Sequence, residues 1–180
     1  MTVSIATIAS MTDHHPRLVE TERAMREHVE SLGLDFEAAH AVSSIYRAAN
    51  AVRSYIWNEL LRPYDLTWTG WVVLWVVWIF DGMETRHAAE AAAISKATLT
   101  GVAKTLESRG WLERRGRTDD RRLVELHLTD EGRKLMEELF PKFNAIETKV
   151  VGGLSSRDTK DMTQNLRTIV TTIEETGLPG

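Results

Sequence analysis

Residues 94–129 read ISKATLTGVAKTLESRGWLERRGRTDDRRLVELHLT, and a change of period inside them decides the fold. Leu99, then Val102 or Ala103, then Leu106 recur at three- and four-residue spacing, which is the period of one helical face. Ser95 stands where a helix cap belongs, because its hydroxyl can accept a first-turn N–H. Gly110 suits the position just past the last turn. From Trp111 the period drops to two. Trp111 to Arg115 reads as a short strand, Gly116 as the flexible turn residue, and Gly116 to Arg122 as a charged loop. Leu123, Val124, Leu126 and Leu128, with Glu125 and His127 interleaved, read as the returning strand. The expectation is a capped helix followed at once by a hairpin with a basic tip.

Just before this stretch, a short alanine-rich helix is expected from about Thr85 to Ala92, with a tight turn at Ala93-Ile94. Two short helices joined by such a turn form a helix-turn-helix unit. Ahead of that unit, Trp68, Trp71, Trp75 and Trp78 step by three, four and three along a helix capped by Thr67 or Thr69 and closed by Asp81-Gly82. Further upstream, Val42, Ile45, Tyr46, Ala49, Val52, Ile56 and Leu60 form one stripe on a helix from about Phe36 to Leu61, which Arg62-Pro63 stops. Pro16 opens a shorter helix to about Ser31. On the other side, Thr129 caps a long helix carrying Leu135, Leu139, Phe143, Ile146 and Val150. Pro141 lies inside that helix, where a kink is expected. After Gly152-Gly153, Ser155 or Ser156 caps a last helix with Met162, Leu166, Ile169 and Ile173 in register. The fold class expected is mainly α with one small β-hairpin. The partition reads as a tail over 1–15, N-terminal helices over 16–62, a winged lobe over 63–129 and C-terminal helices over 130–176.

The 180 residues carry a formal net charge of −4, yet its distribution is uneven. Lys96 to Arg122 holds eight basic and four acidic residues, so this segment is +4 and the remainder −8. Such an island is either a footprint for phosphate or a solvated charged surface, and charge alone does not choose. There is no cysteine, which excludes disulfides, thiolate zinc sites and cysteine nucleophiles. With no basic lead-in to an apolar N-terminal run, a cytoplasmic setting is expected. Trp68 to Phe80 is the most apolar run but has only 13 residues, and a membrane span needs about 20. His87 and Glu90 share a helix face without a third or fourth ligand, so no metal is expected. No glycine-rich phosphate loop or nucleophile elbow nominates a reaction or a cofactor. The chain does not read as an enzyme.

Several stretches together resemble the MarR family of winged helix-turn-helix transcription regulators: Tyr64-Asp65-Leu66-Thr67, Ile94 to Thr100, Leu106 to Leu112, Asp120-Arg121-Arg122, and Leu128-Thr129 leading into Asp130-Glu131-Gly132. The resemblance spans roughly Phe36 to Ile173. It implies a homodimer held by the first and last helices, acting on double-stranded DNA with a palindromic operator. It also implies a repressor released by a small ligand, aromatic or anionic. Residues expected on DNA are Ser95, Lys96, Thr98, Thr100 and Lys104 on the recognition helix, with Arg117 and Arg121 on phosphates. Arg122, braced by Asp120, is expected in the minor groove. Tyr46, Trp68, Trp71 and Arg86 are the candidates for an effector pocket, although tryptophans at helical spacing are more often the mark of a core. Gly101 departs from the family pattern, standing where relatives often carry a long basic residue. The competing reading is a winged-helix interaction module that does not read DNA.

Overall fold

The computed structural model describes residues 16–116 and 123–177. The chain divides into two compact units, one through Ala51 and the other from Val52. In the first, α1 (Pro16–Ser31) and the start of α2 (Phe36–Ile56) form a helical hairpin. Arg26 links them, its guanidinium 4.1 Å from the centroid of Phe36 and 3.9 Å from a Glu37 carboxylate oxygen. Val42 and Tyr46, expected in an apolar stripe, are both exposed here.

In the second unit α2 does not run as an α-helix to Leu61. Its last turn, Trp57–Leu61, widens to a π-turn that buries Leu60 and Leu61, and Arg62–Tyr64 tightens to a 3-10 turn. Pro63, which has no N–H to donate, stands within that tightened segment. Asp65 then turns the chain with a φ of +48°. α3 (Trp68–Phe80) starts at Thr67, whose hydroxyl accepts from the Gly70 N–H at 3.0 Å. Its Trp71, Val73, Leu74, Val76 and Val77 are all buried. Each such side chain contributes on the order of 1.5–3 kcal/mol by leaving water, so α3 is the pillar of this unit.

Four elements pack around that pillar: α4 (Thr85–Ala91), α5 (Lys96–Ser108), a three-stranded sheet and α6 (Asp130–Val150). The sheet is antiparallel in the order β1-β3-β2, with β1 (Met83–Glu84), β2 (Leu112–Gly116) and β3 (Val124–Leu128). The hairpin was legible in sequence; the third strand was not. Met83 pairs with Leu126, which places β3 in the centre and leaves Leu126 fully buried. Gly116 is not the turn residue expected: it pairs with Val124 at the end of the ladder.

Two glycines let the layers close. A Cβ on Gly82, whose φ is +114°, would overlap the His127 ring, and one on Gly132 would overlap the Trp111 carbonyl oxygen. At the second point Thr129 staples α6 to the end of α5. Its hydroxyl donates to the Gly110 carbonyl at 2.5 Å and accepts from the Gly132 N–H at 3.0 Å. α6 runs through Pro141 to Val150. The last helix, α7 (Ser156–Thr176), opens with a Ser155–Asp158 capping box and has no buried residue along its 21 positions.

Candidate nucleic-acid interface

α5 is fixed at both ends and along one face. The turn before it passes through Ala93 at φ +51°, with Ala93 N–H donating to Glu90 O and Ile94 N–H to Ala89 O, each at 3.0 Å. Ser95 then caps the helix: its hydroxyl accepts from the Thr98 N–H at 3.1 Å and lies 2.8 Å from the Thr98 hydroxyl. Leu99, Ala103 and Leu106 point into the core. Since those three define the inner face, Lys96, Ala97, Thr98, Thr100, Gly101, Lys104 and Thr105 stand exposed.

At its C-terminal end α5 is held by Arg109. The guanidinium donates to the Asp65 and Tyr64 carbonyls at 2.6 Å each and lies 4.0 Å above the Trp111 ring. This gives the Tyr64-Asp65-Leu66-Thr67 stretch a physical meaning. Two carbonyls receive Arg109, Leu66 is buried, Thr67 caps α3, and the Tyr64 hydroxyl donates to Glu138 on α6 at 2.7 Å. Lys142 donates to the same carboxylate at 2.6 Å, and these two donors hold Glu138 below the usual carboxylate range. At the C-terminal end of α3, Arg133 donates to Asp81 at 2.9 Å and lowers its pKa in the same way.

The basic island is therefore not uniformly available. Arg109 is committed to backbone. Arg114 reaches Glu107 and the Thr100 carbonyl, each at 3.4 Å, and Arg115 pairs with Glu113. Sequence reasoning counted all three toward the footprint and missed these roles, whose partners for Arg109 lie 44 and 45 residues away. Lys96 and Lys104 are exposed on α5. Arg117, Asp120, Arg121 and Arg122 lie outside the described residues, as does the 1–15 segment.

Of the effector candidates, Trp68 and Trp71 line one cleft and Arg86 another. Trp71 is core, only 2% exposed and stacked on Phe143 at 4.6 Å. Trp68 and Trp75 join it, with Phe140, Phe143 and Glu147 of α6, around a cleft of about 290 Å³. Sequence reasoning missed the α6 side of this cleft, although Phe143 was already legible on the apolar stripe. Arg86 lines a different groove, of about 370 Å³, with Lys96, Thr100 and Arg114, and pairs with Glu90 at 3.0 Å. Tyr46 stands exposed on α2 in the first unit. Among the described residues, no three His, Asp or Glu side chains gather as metal ligands, and no helix is long and apolar enough to cross a membrane.

A capped, surface-presented helix preceded by a short helix and tight turn, and followed by an antiparallel hairpin, defines a winged helix-turn-helix protein. Residues 66–124 match the MarR family model. The chain is 37% identical over 148 residues to the uncharacterized HTH-type transcriptional regulator YwaE of Bacillus subtilis (strain 168), covering 82% of this chain and 85% of that protein. It is 28% identical over 116 residues to the HTH-type transcriptional regulator SarZ of Staphylococcus aureus (strain MRSA252), covering 63% and 76% respectively. Among solved structures, Bordetella bronchiseptica BpsR, whose DNA binding is described as regulated by 6-hydroxynicotinic acid, superposes with a TM-score of 0.66 at 27% identity. That match covers 73% of this chain and 98% of BpsR. The chain belongs to the MarR family and is a DNA-binding transcriptional regulator rather than an enzyme.

Proposed function

We propose that the protein is a homodimeric repressor that sets α5 into successive major grooves of a palindromic operator, with the wing reaching the flanking minor groove. The observation that carries this is the outward face of α5: capped by Ser95, backed by Leu99, Ala103 and Leu106, and presenting Lys96, Thr98, Thr100 and Lys104 to solvent. Hydroxyls and lysines at the start of a helix suit phosphate oxygens and base edges. Arg117 and Arg121 are assigned to phosphates and Arg122, braced by Asp120, to the minor groove. Half-sites about one helical turn apart follow from a two-fold pair of such helices.

The division of labour is a DNA-binding lobe over 63–129 and dimerising helices over 16–62 and 130–176. Supporting it, Met162, Leu166, Ile169, Val170 and Ile173 form an exposed apolar stripe on α7. The effector site is assigned to the tryptophan cleft. The regulation of BpsR by an aromatic acid supports an aromatic ligand. The anionic part of the expectation has no cation among the cleft's lining residues, where Glu147 is the charged group and Arg86 is absent.

The test is a gel-shift titration on a selected operator. Arg122→Ala leaves the dimer intact by light scattering and weakens binding at least about tenfold, the loss expected for one good groove contact. Equal affinity for the two proteins would remove the wing from the interface.

A further inference from the structure

α5 reads KATLTGVAKTLES and contains no arginine, asparagine or glutamine. Those are the side chains whose paired groups match guanine (arginine) or adenine (asparagine and glutamine) in the major groove. Beside Lys96 and Lys104, the exposed face offers methyl groups with oxygens whose protons are already committed. The Thr100 hydroxyl donates to the Lys96 carbonyl at 2.9 Å and the Thr105 hydroxyl to the Gly101 carbonyl at 3.2 Å. Each oxygen is left free to accept, with a methyl beside it. Ala97 adds a third methyl on the outward side.

Gly101 fits the same pattern. A Cβ built there meets nothing within 4 Å, so no packing inside the subunit requires a glycine. Glycine is a poor helix former, and a bare backbone on the outward face is useful where something outside the subunit comes close.

We infer that α5 reads A·T base pairs at short range. The Thr100 methyl packs on the thymine C5-methyl, its oxygen accepts from the adenine N6 amine, and Gly101 lets the helix settle toward the base edges. Thymine alone carries a methyl in the major groove, and cytosine, though it also has an amine donor, lacks one. Lys104, on the same exposed face, supplies the donor for a flanking guanine or phosphate. The inference rests on the placement of α5 in the major groove proposed above.

The experiment uses the full-length protein and a duplex selected from random sequence, in which each thymine of a half-site is replaced in turn by uracil. Uracil keeps the pairing and removes only the methyl. Binding weakens about fourfold at one or two positions per half-site, the worth of one buried methyl. Thr100→Ser, which removes the methyl at both half-sites, weakens the thymine duplex by about the square of that factor and abolishes the uracil effect at one of those positions. Gly101→Ala raises the melting temperature of the free protein while weakening the selected site about tenfold and sparing non-specific duplex. Indifference to uracil at every position, a Thr100→Ser variant as uracil-sensitive as the parent, or a Gly101→Ala variant of undiminished affinity would overturn the inference. A protein that retards no duplex at any salt would instead bring down the placement it rests on, and the inference with it.

Discussion

α5 and α7 are both amphipathic helices that open on a serine cap, and they treat their outward faces in opposite ways. α5 drives Leu99, Ala103 and Leu106 into its own subunit and leaves lysine, threonine and glycine outside. α7 buries nothing and leaves its isoleucines, leucine and methionine in the open. The first face is finished as a surface for a hydrated, charged partner; the second is completed only by another apolar face. On the proposed reading, one chain carries two kinds of association, one expected to weaken with salt and one to depend on protein concentration.

The most severe perturbation gives α7 the polar exterior of α5. The pair Leu166→Glu and Ile169→Glu is expected to yield monomers by light scattering. It should also weaken binding to a full operator by about 10²-fold or more, since two linked half-site interactions become independent. A dimer of unchanged mass would show that the stripe is not the interface.

The anchoring of α5 comes next. Arg109→Ala removes two charge-assisted hydrogen bonds and a stack on Trp111. A loss of about 3 kcal/mol in urea unfolding is expected, from bonds of roughly 1.5–3 kcal/mol each and partial rehydration of the carbonyls. Arg109→Lys recovers only part of it, because an ammonium cannot reproduce the fork. Ser95→Ala is milder, about 1 kcal/mol for a lost cap, with fraying confined to the first turn of α5 by hydrogen exchange.

The smallest effect is electrostatic. Asp81 and Glu138 have carboxyls held below their ordinary range by Arg133 in one case and by Lys142 and Tyr64 in the other. Groups with depressed folded-state values stabilise the fold above the unfolded carboxylate range and lose that contribution as pH falls through the folded values. Melting temperatures are therefore expected to drop as pH is lowered from neutral into the acid range, and Asp81→Asn to flatten part of that drop. Both pairs are exposed, so the change is modest. An Asp81→Asn melt curve parallel to the parent's at every pH would remove this pair from the acid response.

The helices were legible because their evidence is local. Thr67, Ser95, Thr129 and Ser155 all cap where the sequence placed candidate caps, each hydroxyl accepting from an N–H three residues on. β1 was not legible, because two residues carry no period and Met83 becomes a strand only by pairing with Leu126. The π-turn at Trp57–Leu61 preserves the apolar pattern of a helix while altering its geometry, so spacing alone could not reveal it. In the site, residue types pointed to α5, one face of which is exposed, but could not say which cations were already taken. Arg109 reads as one more positive charge until Tyr64 and Asp65 are brought beside it.

Whether the outward face of α5 meets DNA is decided by the salt dependence of operator binding, measured for the parent and for a Lys96→Ala, Lys104→Ala double variant. The slope of log affinity against log salt is expected to become shallower by about 2 to 4, roughly 0.9 for each phosphate no longer neutralised across the two subunits. The dimer and its melting temperature should stay unchanged. Superimposable slopes for the two proteins would show that these lysines face no phosphate, and α5 would lose its place in the groove.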